Sequence, residues 1–469
     1  MNRRTFLKAS LAPVAAGLCA APQRRPPNII SIVCDDLGYS DLGCYGNRVI
    51  QTPHLDRLAA GGVRFTDFHT TSPVCSPSRA AILTGQYQER YEIHHADLPE
   101  VSHRYMLPAS AVTIAEVLKG AGYYTAHVGK WHLGEPPEAP HPCDQGFDSF
   151  FGLFGGRPSS GWIKYARSMD PEMILNRERP KVYPGHVTEV QTKGALDVIA
   201  ERGPKGPFFL NLWYNAPHEP LAPLPNQAET YRYWSKAEQT YYQTVTDVDR
   251  GVGKLLAKLD ELNLTNDTLV MFTSDNGPEV HSSRYSRGSA WPLKGMKTQL
   301  WEGGIRVPCL LRWPGHTPTG SSSTAVTSTL DLFPTIVAAS GAKPSEKLDL
   351  DGGVDLLSKG ATKAGLDRRS LFFEFRSPQR GVASSFPLAV RKGRWKLFAD
   401  SKFEKTELYD LWTDEGEQRD VATEHAGVAT GLKEELRQWK ARMPETPAPP
   451  SHRIEPPPPE ELEKRYYHN

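Results

Sequence analysis

The chain has almost no net charge: 55 Lys and Arg stand against 54 Asp and Glu in 469 residues. No global field draws it to nucleic acid or to an anionic membrane surface, so a site for an anion must be built locally. Cysteine is scarce. The six are Cys19, Cys34, Cys44, Cys75, Cys143 and Cys309, and no two form a C-x-x-C pair. That spacing argues against a zinc site and leaves open which cysteines pair. Beyond the first 21 residues there is no long apolar run, which argues against stable membrane insertion. Internal repeats are missing too, so a repeat architecture is not expected. What remains, 39% hydrophobic and 23% charged residues, is an ordinary globular composition, long enough for one large domain and a smaller one.

Residues 1–21 read as a targeting segment. Arg3-Arg4-Thr5-Phe6-Leu7-Lys8 precedes an apolar stretch, 9–21, that is too short to span a bilayer. The paired arginines resemble a bacterial twin-arginine signal cleaved near Ala20 or Ala21. The expected location is periplasmic or secreted. Cys19 raises lipid attachment, which Leu18 before it disfavours.

Short apolar runs at 28–33, 63–68, 123–128, 208–214 and 269–273 read as strands. Helical patterns lie between them: Pro53–Ala60 with Thr52 as N-cap, 112–121 ending at Gly122, and 241–262. The alternation predicts an α/β fold with a large, mostly parallel central sheet flanked by helices. Residues 153–187 lack clean periodicity and read as an insertion over the active site. From about Arg368, strand-like pieces at 370–375, 386–391 and 394–399, then 407–411 and a helix at 432–443, suggest a smaller antiparallel sheet with one helix. The expected organisation is 1–21 signal, 22–365 catalytic domain, 366–445 C-terminal α+β unit and 446–469 Pro-rich tail.

Polar residues cluster just after the strands. Asp35 and Asp36 follow the first, and Asp275 and Asn276 follow 269–273. An acidic pair is commonly a solvated turn. Four oxygen ligands without Cys or His spacing otherwise suggest a hard cation, Ca²⁺ before Mg²⁺, since packed aspartates repel unless a cation lies between them. Cys75 sits in TTSPVCSPSRAAILTG, before a helix start read at Ser78. A helix N-terminus and the forked cation of Arg79 suit a thiolate or a bound oxyanion, although a lone cysteine is otherwise a buried hydrophobe or half a disulfide.

The run C-x-P-S-R followed by Ala80-Ala81-Ile82-Leu83-Thr84-Gly85 resembles the signature of formylglycine-dependent sulfatases, which have the alkaline-phosphatase superfamily fold. GYYTAHVGKWHLG, 122–134, is similar to that family's other diagnostic motif. The resemblance implies that a formylglycine-generating or radical maturation enzyme oxidises Cys75 to formylglycine, whose hydrate is the nucleophile. Twin-arginine export carries folded proteins, which would let a cytoplasmic enzyme modify Cys75 first. The resemblance further implies one divalent ion, usually calcium, held by Asp35, Asp36, Asp275 and Asn276 and touching residue 75. Arg79, Lys130 and Lys297 would neutralise the sulfate, His132 would take a proton from the hydrate, and His218 would face the leaving group. Lys130 and His132, two apart, would face one side of an extended chain. Lys294 competes with Lys297, and spacing to Glu302-Gly303-Gly304 favours Lys297. Arg157, Trp162, Tyr165, His94, His95 and His281 could line a sugar subsite, with surface or core roles equally open. The expected function is removal of sulfate from a sulfated carbohydrate. The alternatives are a phosphonate or phosphate ester hydrolase of the same fold, or a non-catalytic sulfated-glycan binder if Cys75 is unmodified.

Overall fold

A computed structural model describes residues 25–95, 106–136, 139–155, 169–221, 228–280, 287–344, 348–359, 361–375 and 386–445. The expected signal, Cys19, Arg157, Trp162, Tyr165, His281 and the Pro-rich tail lie outside the described residues.

Ten strands form one sheet in the spatial order Ser321–Ser323, Val63–Phe65, Cys309–Arg312, Thr268–Ser274, Asn28–Asp35, Phe208–Pro217, Tyr124–Lys130, Ser149–Leu153, Glu172–Leu175 and Lys181–Val182. The five from Thr268–Ser274 to Ser149–Leu153 run parallel, while Cys309–Arg312 and Glu172–Leu175 flank them antiparallel. Side chains alternate across a strand, so each central strand feeds two cores. Ile29, Val33, Phe209, Trp213, Leu269 and Met271 face one, where the helices Cys75–Thr84, Ile114–Gly120 and Leu332–Ser340 cover them. Ile30, Ile32, Leu210, Leu212, Val270 and Phe272 face the other, under the helices Pro53–Ala60, Val187–Arg202 and Lys236–Glu261. Burial on both faces is why these strands are apolar without alternation.

A second sheet runs antiparallel in chain order through Ser370–Glu374, Leu388–Lys392, Trp395–Ala399 and Thr406–Asp410. One face takes Leu432, Leu436 and Trp439 of the helix Ala426–Arg442. The other packs Leu371, Phe373, Phe398 and Tyr409 against Val74, Leu300 and Ile305 of the larger unit.

Several local expectations are corrected. Residues 63–68 are not one strand: Val63–Phe65 joins the large sheet, whereas Phe68–His69 pairs with Thr327–Ser328 in a separate ribbon. Thr52 precedes its helix but does not cap it, because its hydroxyl bonds Gly43 N (2.8 Å) and Asp56 (3.2 Å) instead. Asp249, from a distant helix, takes the free amides of His54 and Leu55 at 2.9 and 2.7 Å. The helix expected from 241 begins at Lys236, since Ser235 and Glu238 form a reciprocal capping box. The last helix likewise starts at Ala426, ahead of 432.

Candidate active site

The parallel strands deliver the site at their carboxyl edge, where open α/β sheets bind ligands. Asp35 and Lys130 are the last residues of their strands, and His218 and Asp275 follow theirs directly. Asp36 turns the chain with a left-handed backbone, φ 65°, and its amide donates to Asp275 Oδ1 at 3.2 Å. Gly129, one residue before Lys130, has φ +109°, and a Cβ there would stand 1.9 Å from the Trp213 carbonyl oxygen. Only glycine permits that approach.

Cys75 is the first residue of the helix Cys75–Thr84, which begins three residues before the Ser78 expected from sequence. Pro77 lies in the first turn, where its missing N–H costs no helix bond. Arg79 stands one turn further along the same face. It is fully buried and bonds Asp275 Oδ2 at 2.6 Å and the Lys130 carbonyl at 3.2 Å. Asp35 Oδ1 is 3.6 Å away, and the guanidinium lies 4.9 Å from the Trp213 ring centre. Lys130 Nζ donates to Asp35 Oδ2 at 2.6 Å. Lys297 Nζ donates to Asp36 Oδ2 at 2.7 Å, and His218 Nε2 is 3.7 Å from that oxygen. Asn276 Nδ2 donates to Asp36 Oδ1 at 2.7 Å. Three carboxylates thus interleave with three cations in one buried centre.

Lys294 is excluded from this centre. Its ammonium bonds the Glu417 carbonyl at 2.9 Å and lies over the Trp301 ring at 3.5 Å. The expectation that Lys130 and His132 share a face of an extended chain fails: the strand ends at Lys130, and His132 is left-handed, φ 61°. The turn nevertheless keeps His132 buried, with charge coupling to Lys130, Arg79, Asp35 and His218.

Burial opposes charge on Asp35, but Lys130, then His218, Arg79 and Lys297, hold its carboxyl well below the usual range. Burial and the neighbouring Asp35 charge push Asp275 up. Burial raises the Cys75 thiol against the pull of Lys130 and Lys297. Burial, then Lys130 and Arg79, drives His132 well below an ordinary imidazole. His218 is lowered by burial and Lys297 against Asp35 and Asp36.

Ligand atoms of Asp35, Cys75 and Asp275 lie within 4.8 Å of one another, as do those of Asp35, Asp36 and His218. Asp35 Oδ1 and Asn276 Oδ1 are buried and accept no hydrogen bond. Buried oxygens without donors fit a hard cation with oxygen ligands. A further cluster, Asp67, His69 and Glu302, is already compensated by Arg391 on Asp67 (3.0 Å) and Lys396 on Glu302 (2.9 Å).

His94 and His95 are buried, with the His95 ring 5.8 Å from Phe375. Cys34, Cys44, Cys75, Cys143 and Cys309 are all free thiols. Sequence reasoning missed Trp213, the platform under Arg79, and His127, which lies 3.2 Å from the Lys130 carbonyl and 3.0 Å from Asn211. Trp213 sits inside an apolar strand with no functional signal, whereas His127 lies within the 122–134 motif, where sequence reasoning singles out only Lys130 and His132.

Fold and site together define an α/β enzyme of the alkaline-phosphatase-like class, built around a compensated charge centre. A family model described as Sulfatase matches residues 27–342, and one described as N-sulphoglucosamine sulphohydrolase, C-terminal, matches 296–442. Arylsulfatase A of Homo sapiens is 36% identical over 473 residues, covering 91% of this chain and 89% of its own. N-acetylgalactosamine-6-sulfatase of Rattus norvegicus is 36% identical over 363 residues, covering 73% and 67%. The crystal structure of Ps i-CgsB in complex with k-i-k-neocarrahexaose is similar at TM-score 0.79 and 31% identity, covering 90% of this chain and 94% of that one. The chain belongs to the sulfatase family and is an enzyme that hydrolyses sulfate esters. No helix among the described residues is long and apolar enough to cross a membrane.

Proposed function

We propose that the enzyme removes sulfate from a sulfated carbohydrate, with formylglycine at position 75 and one divalent cation, Ca²⁺ in preference to Mg²⁺. The observation that carries this reading is the convergence of Asp35, Asp275 and Cys75 ligand atoms within 4.8 Å, beside buried oxygens that lack donors. Asp35, Asp36, Asp275 and Asn276 would hold the cation, with residue 75 alongside. Bound there, it supplies Lewis-acid charge next to the sulfate. In its modified state residue 75 supplies two hydroxyls on one carbon, one to accept the sulfuryl group and one to release it.

The remaining work falls to side chains already in position. Arg79, Lys130 and Lys297 neutralise the charge that grows on the oxygens as the ester S–O bond breaks, and preorganised charge of this kind is often the largest catalytic contribution. His218 Nδ1 lies 2.6 Å from the Glu219 carbonyl. Donating there leaves Nε2 as the atom that exchanges a proton with the departing alcohol oxygen. His132, with Nδ1 buried and unbonded, serves as the base that takes the hydroxyl proton when sulfate leaves. Arg157, outside the described residues, stays a candidate for a sugar subsite, with surface or core roles equally open. The proposed organisation keeps 22–365 as the catalytic domain and 366–445 as a C-terminal unit, with twin-arginine export to the periplasm or beyond.

The test is co-expression with a formylglycine-generating enzyme, mass measurement of the peptide containing residue 75, and turnover of matched sulfate and phosphonate esters. The expected result is a peptide in which sulfur has been exchanged for oxygen, with the sulfate ester cleaved preferentially. An active preparation whose peptide keeps an intact thiol would overturn the reading.

A further inference from the structure

The loop that carries Lys297 is held by the second sheet as well as by the large one. On the near side, Lys297 N donates to the Pro278 carbonyl at 3.0 Å, and Gly277 N donates to the Gly304 carbonyl at 2.9 Å. Thr298 N donates to the Pro73 carbonyl at 3.0 Å, two residues before Cys75. On the far side stands Glu302, which begins the short helix Glu302–Ile305. Its Oε1 accepts from Lys396 Nζ at 2.9 Å, its Oε2 is 3.0 Å from His69 Nε2, and its amide donates to Glu417 Oε2 at 2.7 Å. Lys396 also pairs with Glu417 Oε1 at 3.0 Å, and both the Lys396 and Glu302 side chains are fully buried. Lys396 lies on the strand Trp395–Ala399 of the second sheet. Apolar packing follows the same route: Trp301 sits 4.5 Å from the Phe398 ring centre, and Leu300 and Ile305 share a core with Phe373 and Tyr409.

We propose that Lys396 is a positioning residue for sulfate binding: through Glu302 it fixes the 294–305 loop and so holds Lys297 at the anion site. This rests on the assignment of Lys297 to the sulfate. The reason is geometric. Lys297 reaches the centre on a long side chain from a loop that has only a four-residue helix of its own. Without Lys396, Glu302 keeps only His69 Nε2 at 3.0 Å and Arg306 Nη1 at 3.8 Å, both on Oε2, and a buried carboxylate left under-compensated moves or takes up a proton. Either response shifts Glu302, and the loop shifts with it. Burial works against charge on Glu302, yet Lys396 and then His69 hold its carboxyl well below the usual range.

The experiment titrates inorganic sulfate into the full-length calcium-loaded protein by calorimetry, alongside a thermal melt. Lys396→Met is expected to weaken sulfate binding about tenfold, since a small displacement of a binding group is costly. Lys396→Arg, which keeps the charge, should recover most of the loss. In a Lys297→Ala background, Lys396→Met should add nothing, because the two act in series. Should Lys396→Met fail to fold, Glu417→Gln takes its place, with a smaller loss that also vanishes in the Lys297→Ala background. Wild-type sulfate affinity in a folded variant that merely melts earlier would reduce the network to a structural role. A loss that persists at full size without Lys297 would overturn the route through the loop. Because the readout is anion binding, a protein that binds sulfate but cleaves no sulfate ester sinks the catalytic reading and leaves this comparison intact.

Discussion

Arg79 is the most exacting position to perturb. Its guanidinium bonds Asp275 at 2.6 Å and the Lys130 carbonyl at 3.2 Å, with Asp35 at 3.6 Å and Trp213 beneath it at 4.9 Å. Arg79→Leu fills similar space but leaves Asp275 without its nearest cation. Breaking one side of a buried ion pair costs roughly 3–5 kcal/mol, and the lost contact with the Trp213 face adds up to about 2 kcal/mol. We therefore predict a loss of about 3–7 kcal/mol in chelator, read as a shift of the urea midpoint followed by circular dichroism. Calcium should narrow the gap, because a cation held by Asp35, Asp36, Asp275 and Asn276 takes over part of the compensation. Binding at a hundred times the dissociation constant contributes about 2.7 kcal/mol. Arg79→Lys keeps the charge but not the fork, so a single ammonium cannot serve both Asp275 and the Lys130 carbonyl. Turnover of a sulfate ester by Arg79→Lys should fall on the order of a hundredfold. An Arg79→Leu protein that unfolds within about 0.5 kcal/mol of wild type in chelator would refute the charge-compensation argument, because substitutions of that size are typical of plain surface positions.

Other outcomes follow from the same geometry. His132→Ala should release one equivalent of alcohol quickly and then stall, with steady turnover down about a hundredfold or more; rapid-quench analysis detects the burst, and undiminished steady turnover would remove His132 from the release step. Chelation should abolish sulfate-ester cleavage and Ca²⁺ restore it, and full activity after exhaustive dialysis against chelator would contradict the cation assignment. Asp249 is raised to about 7, with burial the main cause and the His54 and Leu55 amides opposing it. The folded state therefore holds this proton more tightly than the unfolded chain, so its contribution is present below about pH 4 and is lost as pH rises through about 7. Asp249→Asn should flatten that part of the stability curve in urea titrations between those limits, and an unchanged slope would discount the shift.

Much of the site was legible before any fold was known, because its residues lie beside recognisable local patterns. Asp35, Lys130 and Asp275 each end or follow an apolar run, and open α/β sheets place function there. The choice of Lys297 over Lys294 rested on its spacing to Glu302-Gly303-Gly304, and the two ammonium groups do go to different partners. Ser235 and Glu238 already carry the spacing of a capping box in the sequence, which places the start of the long helix at Lys236 ahead of the apolar pattern that begins at 241. Other misses had no local signal. Thr52 stands at the N-cap position by type, but its hydroxyl goes to Gly43 N and Asp56, and Asp249 from 195 residues away takes the His54 and Leu55 amides in its place. Lys130 and His132 would share a face only on a continuing strand, and the strand ends at Lys130 with His132 left-handed.

Sequence alone determined the element types, the carboxyl-edge location of the polar residues and the chemical kind of each group, because apolar periodicity and residue chemistry are local properties. Tertiary structure alone decided which charge answers which. Arg79 meets Asp275 and Lys396 meets Glu302 across 196 and 94 residues of chain. Such pairings depend on strand order and on which faces pack together, and no local pattern of amino acids encodes either.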